Sequence, residues 1–126
     1  MKKLADAALV RTSIEEASAA FARGDFPTAL SMFRPLAERG DVKAQVNIGA
    51  MHFNGLGVRQ DYAEAMRWFR RAADQGDATA QNNLGMIHFN GLGLAKDHDE
   101  AMRWFRRAAD QGHAGAQNNL GLMYGG

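Results

Sequence analysis

The chain has 126 residues, 46% of them hydrophobic, with 15 Lys and Arg against 14 Asp and Glu. That is room for one compact domain or a short repeat array with a real core, and a formal net charge of +1 sets up no general field for nucleic acid or an anionic membrane. There is no cysteine, which excludes disulfides, thiolate nucleophiles and Cys-ligated zinc together.

The opening MKKLADAALV begins like a secretory signal, but Asp6 interrupts a short apolar run and Arg11 ends it. No signal peptide is expected on that pattern, and the chain reads as cytoplasmic. No window approaches the roughly 18 apolar residues of a membrane span, so no membrane insertion is expected. A first helix is predicted over residues 13–23, capped by Thr12 or Ser13 with Glu15 and Glu16 in its first turn. The short ARGDF segment leads directly into a second helix over 26–39, where Pro35 should kink the helix or loosen its last turn.

A third helix follows over 42–53 and ends at NGLG. Gly55 and Gly57 there suit a turn with positive φ, with Leu56 and Val58 tucked onto the core. The fourth helix, 62–75, places Ala65, Met66, Phe69, Ala72 and Ala73 on one amphipathic stripe. Trp68 borders that stripe, and Arg67, Arg70 and Arg71 point outward within reach of Glu64 and Asp74. Asp61 and Glu64 have capping-box spacing, and Gly76 suits a left-handed stop.

Helices over 78–89, 98–111 and 114–124 then repeat this plan. EAMRWFRRAADQG runs from Glu64 to Gly76 and again from Glu100 to Gly112, and Ala44-Gln45, Ala80-Gln81 and Ala116-Gln117 recur at a spacing of 36 residues. Self-similarity at this period is the signature of a solenoid. Gly49, Gly85 and Gly121 share the period in mid-helix, where glycine costs about 1 kcal/mol relative to alanine. Close approach of the partner helix is the expected compensation.

These residues resemble the Sel-one-like repeat (SLR), a subclass of the tetratricopeptide-like helical repeats. The resemblance rests on AQNNLGMIHFNGLG from Ala80 to Gly93, on Asp97, and on EAMRWFRRAADQG with Ala101, Trp104 and Ala108-Ala109. It implies an all-α fold, a right-handed α-solenoid of antiparallel helix pairs, and a role in protein interaction. The chain is then one solenoid domain over 1–126: a tetratricopeptide-like hairpin at 11–40, repeats at 41–76 and 77–112, and the first helix of a third repeat at 113–126.

Little in the chain points to chemistry. His52, His88 and Tyr124 share one repeat position, which reads as a place for a flat, partly buried ring rather than a metal ligand. His98 and His113 stand at helix starts and read as surface residues. The GLG triplets lie between two helices, unlike a nucleotide loop, and Ser13, Ser18 and Ser31 have no histidine in the same unit. No enzyme activity, metal or cofactor is expected.

The expected function is a scaffold that binds a protein or peptide segment. Its site is a second line on the first helix of each repeat, turned away from Ala80, Leu84 and Ile87: Val46, Ala50 and Phe53, then Asn82, Met86 and Phe89, then Asn118 and Leu122. The resemblance puts these positions on a concave surface. Phe53 and Phe89 are the expected anchors, while Asn82, Asn118, Asn54 and Asn90 could hold a ligand backbone through donor and acceptor together. A competing reading makes Phe53 and Phe89 a cover over the inter-repeat loop and Asn54 and Asn90 helix-end caps. The alternative function is a nucleic-acid binder using the Arg-rich convex helices, although no nucleic acid is expected under the favoured reading. Because Ala116, Leu120 and Met123 repeat an interior stripe, self-association into a homo-oligomer through the C-terminal end is also expected.

Overall fold

The computed structural model describes residues 13–125, and every regular element among them is an α-helix. They are α1 (13–22), α2 (Phe26–Glu38), α3 (Val42–Asn54), α4 (Tyr62–Asp74), α5 (Ala78–Asn90), α6 (His98–Asp110) and α7 (Ala114–Gly125). From the end of α1 to the start of α7, each helix end falls within one residue of its expected place. The basic opening stretch and Thr12 lie outside the described residues.

Local chemistry accounts for the helix starts. The side chains of Asp41 and Asp77 accept from the backbone N–H of Ala44 and Ala80 at 2.9 and 2.8 Å, satisfying donors that the first helical turn leaves unpaired. Asp61 and Asp97 do the same for Glu64 and Glu100, both at 3.0 Å. The expected capping box is only half present. The backbone N–H groups of Asp61 and Asp97 donate instead to the carbonyls of His52 and His88, at 2.8 and 2.9 Å. Glu64 and Glu100 turn outward to Arg67 and Arg103. This exchange ties the start of each second helix to the last turn of the first.

His113 occupies the position of Asp77 one period on and caps α7 through Nδ1, which accepts from the N–H of Ala116 at 3.1 Å. The surface reading of His113 is therefore replaced by a structural one. Pro35 lies within α2, which runs on to Glu38. The turns at Gly55, Gly57, Gly91 and Gly93 have φ between 65° and 76°, as the NGLG reading requires. They let Leu56, Val58, Leu92 and Leu94 fold back onto the core.

Successive helices pack on one another down the chain, α2 on α3 through α6 on α7, in the manner of a solenoid. The core is segmented by repeat. One cluster joins Ala17 and Ala20 of α1, Phe33 of α2 and Ile48 and Met51 of α3, and is closed by Trp68 of α4. The next joins Phe69 of α4 to Leu84 and Ile87 of α5 and is closed by Trp104 of α6. Adjacent residues Trp68 and Phe69 thus enter different clusters, so α4 is buried on two sides.

The mid-helix glycines are accounted for by these rings. A Cβ built on Gly49 would lie 2.6 Å from the Phe69 ring, and one on Gly85 would lie 2.5 Å from the Phe105 ring. The lost helix propensity is the condition for seating a phenylalanine directly on the helix backbone.

Candidate functional site

Helices α3, α5 and α7, the first of each repeat, present two clefts whose linings correspond position by position. One, of about 160 Å³, is lined by Ala50, Phe53, Asn54, Phe69, Asn83 and Met86. Advancing each residue by the 36-residue period gives Met86, Phe89, Asn90, Phe105, Asn119 and Leu122. Those six, with Met123, line the other cleft, of about 220 Å³. Met86 belongs to both, so the clefts share a wall.

The walls are rings backed by rings. Phe53 meets Tyr62 edge-on at 5.2 Å and Phe69 at 6.4 Å, while Phe89 stacks on His98 at 4.6 Å. His98, exposed in itself, therefore supports a cleft wall. No charged side chain lines either cleft. Such a surface offers apolar contact and carboxamide hydrogen bonding, without a field for an ionic ligand.

Seven of the expected site residues, Ala50, Phe53, Asn54, Met86, Phe89, Asn90 and Leu122, line these clefts. Three do not. Asn82 is only 8% exposed, because its Oδ1 accepts from Asn119 Nδ2 at 3.1 Å and its Nδ2 lies 3.7 Å from the Met86 sulfur. Val46 borders a separate depression with Val42, Lys43, Asn47, Asp77 and Thr79. Asn118 is exposed but lines neither cleft.

Asn54 and Asn90 sit where expected with one of the two N–H donors of each already engaged. Each donates through Nδ2 to the carbonyl four residues back, Ala50 and Met86, at 3.0 Å. Their helix-end role and their place in the cleft therefore coexist, with Oδ1 and the second N–H of each amide left over. The amides the sequence reading missed are Asn83 and Asn119. A usable signal existed: asparagine recurs at 47, 83 and 119, whereas the position of Asn82 is valine at 46.

On the second helices, the arginines are engaged by their neighbours. Arg67 pairs with Glu64 at 3.3 Å and Arg70 with Asp74 at 3.4 Å. The guanidinium groups of Arg67 and Arg71 lie 5.4 and 4.8 Å from the Trp68 ring centre, and those of Arg70 and Arg107 lie 5.2 and 4.7 Å from that of Trp104. Arg70 thus reaches across from one repeat to the next. His52 is buried and His88 half-buried, each with an Nδ1 that has no partner. Among the described residues no three His, Asp or Glu side chains gather as a metal site, and no helix is long and apolar enough to cross a membrane.

Comparison with known proteins agrees with this architecture. The solved structure of a protective antigen present in uropathogenic Escherichia coli strains, displaying an SLR fold, is 30% identical with a TM-score of 0.86 over 98% of this chain and 27% of its own. A Sel1 repeat protein from Oxalobacter formigenes is 32% identical with a TM-score of 0.84 over 87% of this chain and 45% of its own. The chain thus spans less than half the length of either. No curated protein matches it. The Sel1 repeat model matches residues 42–77, 78–113 and 114–126, and with repeats covering most of its length the chain belongs to the Sel1 repeat family.

Proposed function

We propose that the chain is an interaction module that holds a peptide or protein segment along the paired clefts of α3, α5 and α7, the face expected to be concave. Sel1 repeat proteins are commonly protein-interaction scaffolds and generally non-catalytic, which supports a binding role. The observation carrying the finer reading is the recurrence of one uncharged lining of Phe, Asn and Met or Leu at a single period. A core position needs no open cleft, and a solvated face needs no repeated aromatic wall. Phe89 and Met86 remain 37% and 39% exposed beside those clefts, and grouped apolar surface of this kind marks interaction sites.

Phe53 and Phe89 are the anchors of the bound segment. Asn83 and Asn119, with Oδ1 of Asn54 and Asn90, meet its backbone. The arginine-bearing helices are the alternative site, for nucleic acid. That reading is weakened by the carboxylates and indoles that already occupy Arg67, Arg70, Arg71 and Arg107.

The test begins with peptides selected on the wild-type protein from a random display library. Their affinities are then measured against the Phe53→Ala/Phe89→Ala double variant, after circular dichroism shows it folded. A loss of at least about tenfold is expected, since truncated anchor residues commonly carry most of a binding energy. Undiminished affinity in the folded variant would overturn the assignment of the clefts.

A further inference from the structure

The two clefts meet at one side chain. Met86 of α5 lines both, and the residues at its repeat position on α3 and α7 are Ala50 and Leu122. All that the position has in common is an apolar side chain, so the wall can be built without sulfur. Methionine alone of the three carries a thioether, which peroxides oxidise to a sulfoxide, turning a flexible apolar side chain into a polar one.

Access and surroundings both favour reaction at this sulfur. Among the described residues Met86 is the one exposed methionine, at 39%. Met51 is fully buried in the first core cluster. Met32, Met66, Met102 and Met123 are half-buried, and three of these, Met32, Met66 and Met123, pack against core clusters. The Met86 sulfur lies 3.7 Å from Nδ2 of the buried Asn82, whose Oδ1 is tied to Asn119 across the helix pair. A thioether is a weak acceptor, whereas a sulfoxide oxygen is a strong one. The fixed amide therefore offers the oxidised side chain a partner that the reduced one scarcely uses.

We propose that Met86 is an oxidation site through which hydrogen peroxide switches the clefts from an apolar to a polar surface. The thioether sulfur attacks one peroxide oxygen and forms the S–O bond as the O–O bond breaks. Sulfur is oxidised by two electrons, the peroxide is reduced, and its other oxygen takes the remaining proton and leaves as water. Because one side chain walls both clefts, a single oxygen alters both. A ligand side chain seated against that wall must then strip water from the sulfoxide. This consequence for binding rests on the reading of the clefts as the binding site; the chemistry at sulfur does not.

The test treats the protein with graded hydrogen peroxide and maps the sulfoxides by digestion and mass spectrometry. Met86 should be oxidised ahead of Met32, Met51, Met66, Met102 and Met123, before circular dichroism shows any loss of helix. At that dose, display-selected peptides whose binding depends on Phe53 and Phe89 should lose about tenfold in affinity. Methionine sulfoxide reductases, one for each sulfur epimer, should restore it. Met86→Gln, which places a polar group of similar length there without an oxidant, should weaken the same peptides. Met86→Leu should hold one affinity before and after peroxide. The proposal is overturned if a more buried methionine is oxidised first, if the Met86 sulfoxide binds those peptides as well as the thioether does, or if the peroxide effect persists in Met86→Leu. Should no selected peptide depend on Phe53 and Phe89, the cleft reading fails and the switch falls with it, while the sulfoxide map still decides whether Met86 is the preferred site of oxidation.

Discussion

Gly85 and Gly121 are the same residue at the same repeat position, and their surroundings assign them opposite roles. At Gly85 a methyl group would strike the Phe105 ring, so Gly85→Ala is expected to destabilise the fold by about 1–3 kcal/mol, as overpacking does. At Gly121 nothing lies within 4 Å of an added Cβ and only helix propensity remains in play, so Gly121→Ala should stabilise by up to about 1 kcal/mol. Chemical denaturation of both variants checks this. Equal effects of the same sign would show that the rings do not decide the glycines. Asn82 and Asn83 teach a related lesson. Relative to Met86 they lie about 40° and 60° to either side around the helix at 100° per residue. Both count as neighbours by periodicity, and it is the packing of α7 that covers Asn82 and leaves Asn83 in a cleft.

At the scale of an element, α4 and α6 are the joints of the array. Each sends a tryptophan back into the preceding cluster and a phenylalanine into its own, with arginines lying over the indoles. A hydrogen-bond relay runs beside them, from Gln75 to Gln45 to the Ala37 carbonyl, and again from Gln111 to Gln81 to the Ala73 carbonyl. Gln75→Ala strands the buried Oε1 of Gln45 and should destabilise by about 1–3 kcal/mol, the usual penalty for an unsatisfied buried acceptor. Gln117→Ala strands no such acceptor, and its effect on thermal stability should be much smaller. Similar losses in the two variants would mean that the relay adds nothing between repeats.

For the whole molecule, the consequence of stacking is that each helix depends on the helices beside it. Interior helices such as α5 are held on two sides, by α4 and α6, whereas α7 packs on α6 and touches α5 through Asn119 and Asn82. Hydrogen exchange read by mass spectrometry should therefore show the amides of α7 exchanging sooner than those of α5, in keeping with opening from the ends of a repeat array. Equal protection in dilute solution would point to cover on α7 that the described residues do not supply. The absence of charge in the clefts has an effect at this scale as well. Association through them should vary little with salt, in contrast to phosphate binding on the arginine-bearing helices, whose salt dependence is steep.

The sequence by itself determined the period, the helices and their ends, and the family resemblance. These rest on local chemistry: aspartates that cap, glycines that permit positive φ, and apolar residues at helical spacing. It also placed Phe53, Phe89 and Met86 on one line along the first helices, the line that borders the clefts, because a helix face can be computed from spacing alone. Which flank of that line stays open was decided by the tertiary structure, which buried Asn82, set Val46 and Asn118 aside, and brought in Asn83, Asn119, Phe69 and Phe105. Period and propensity describe one helix at a time. Exposure belongs to the packing of neighbouring helices, and a repeated residue such as Gly121 takes its role from whether a neighbour is there.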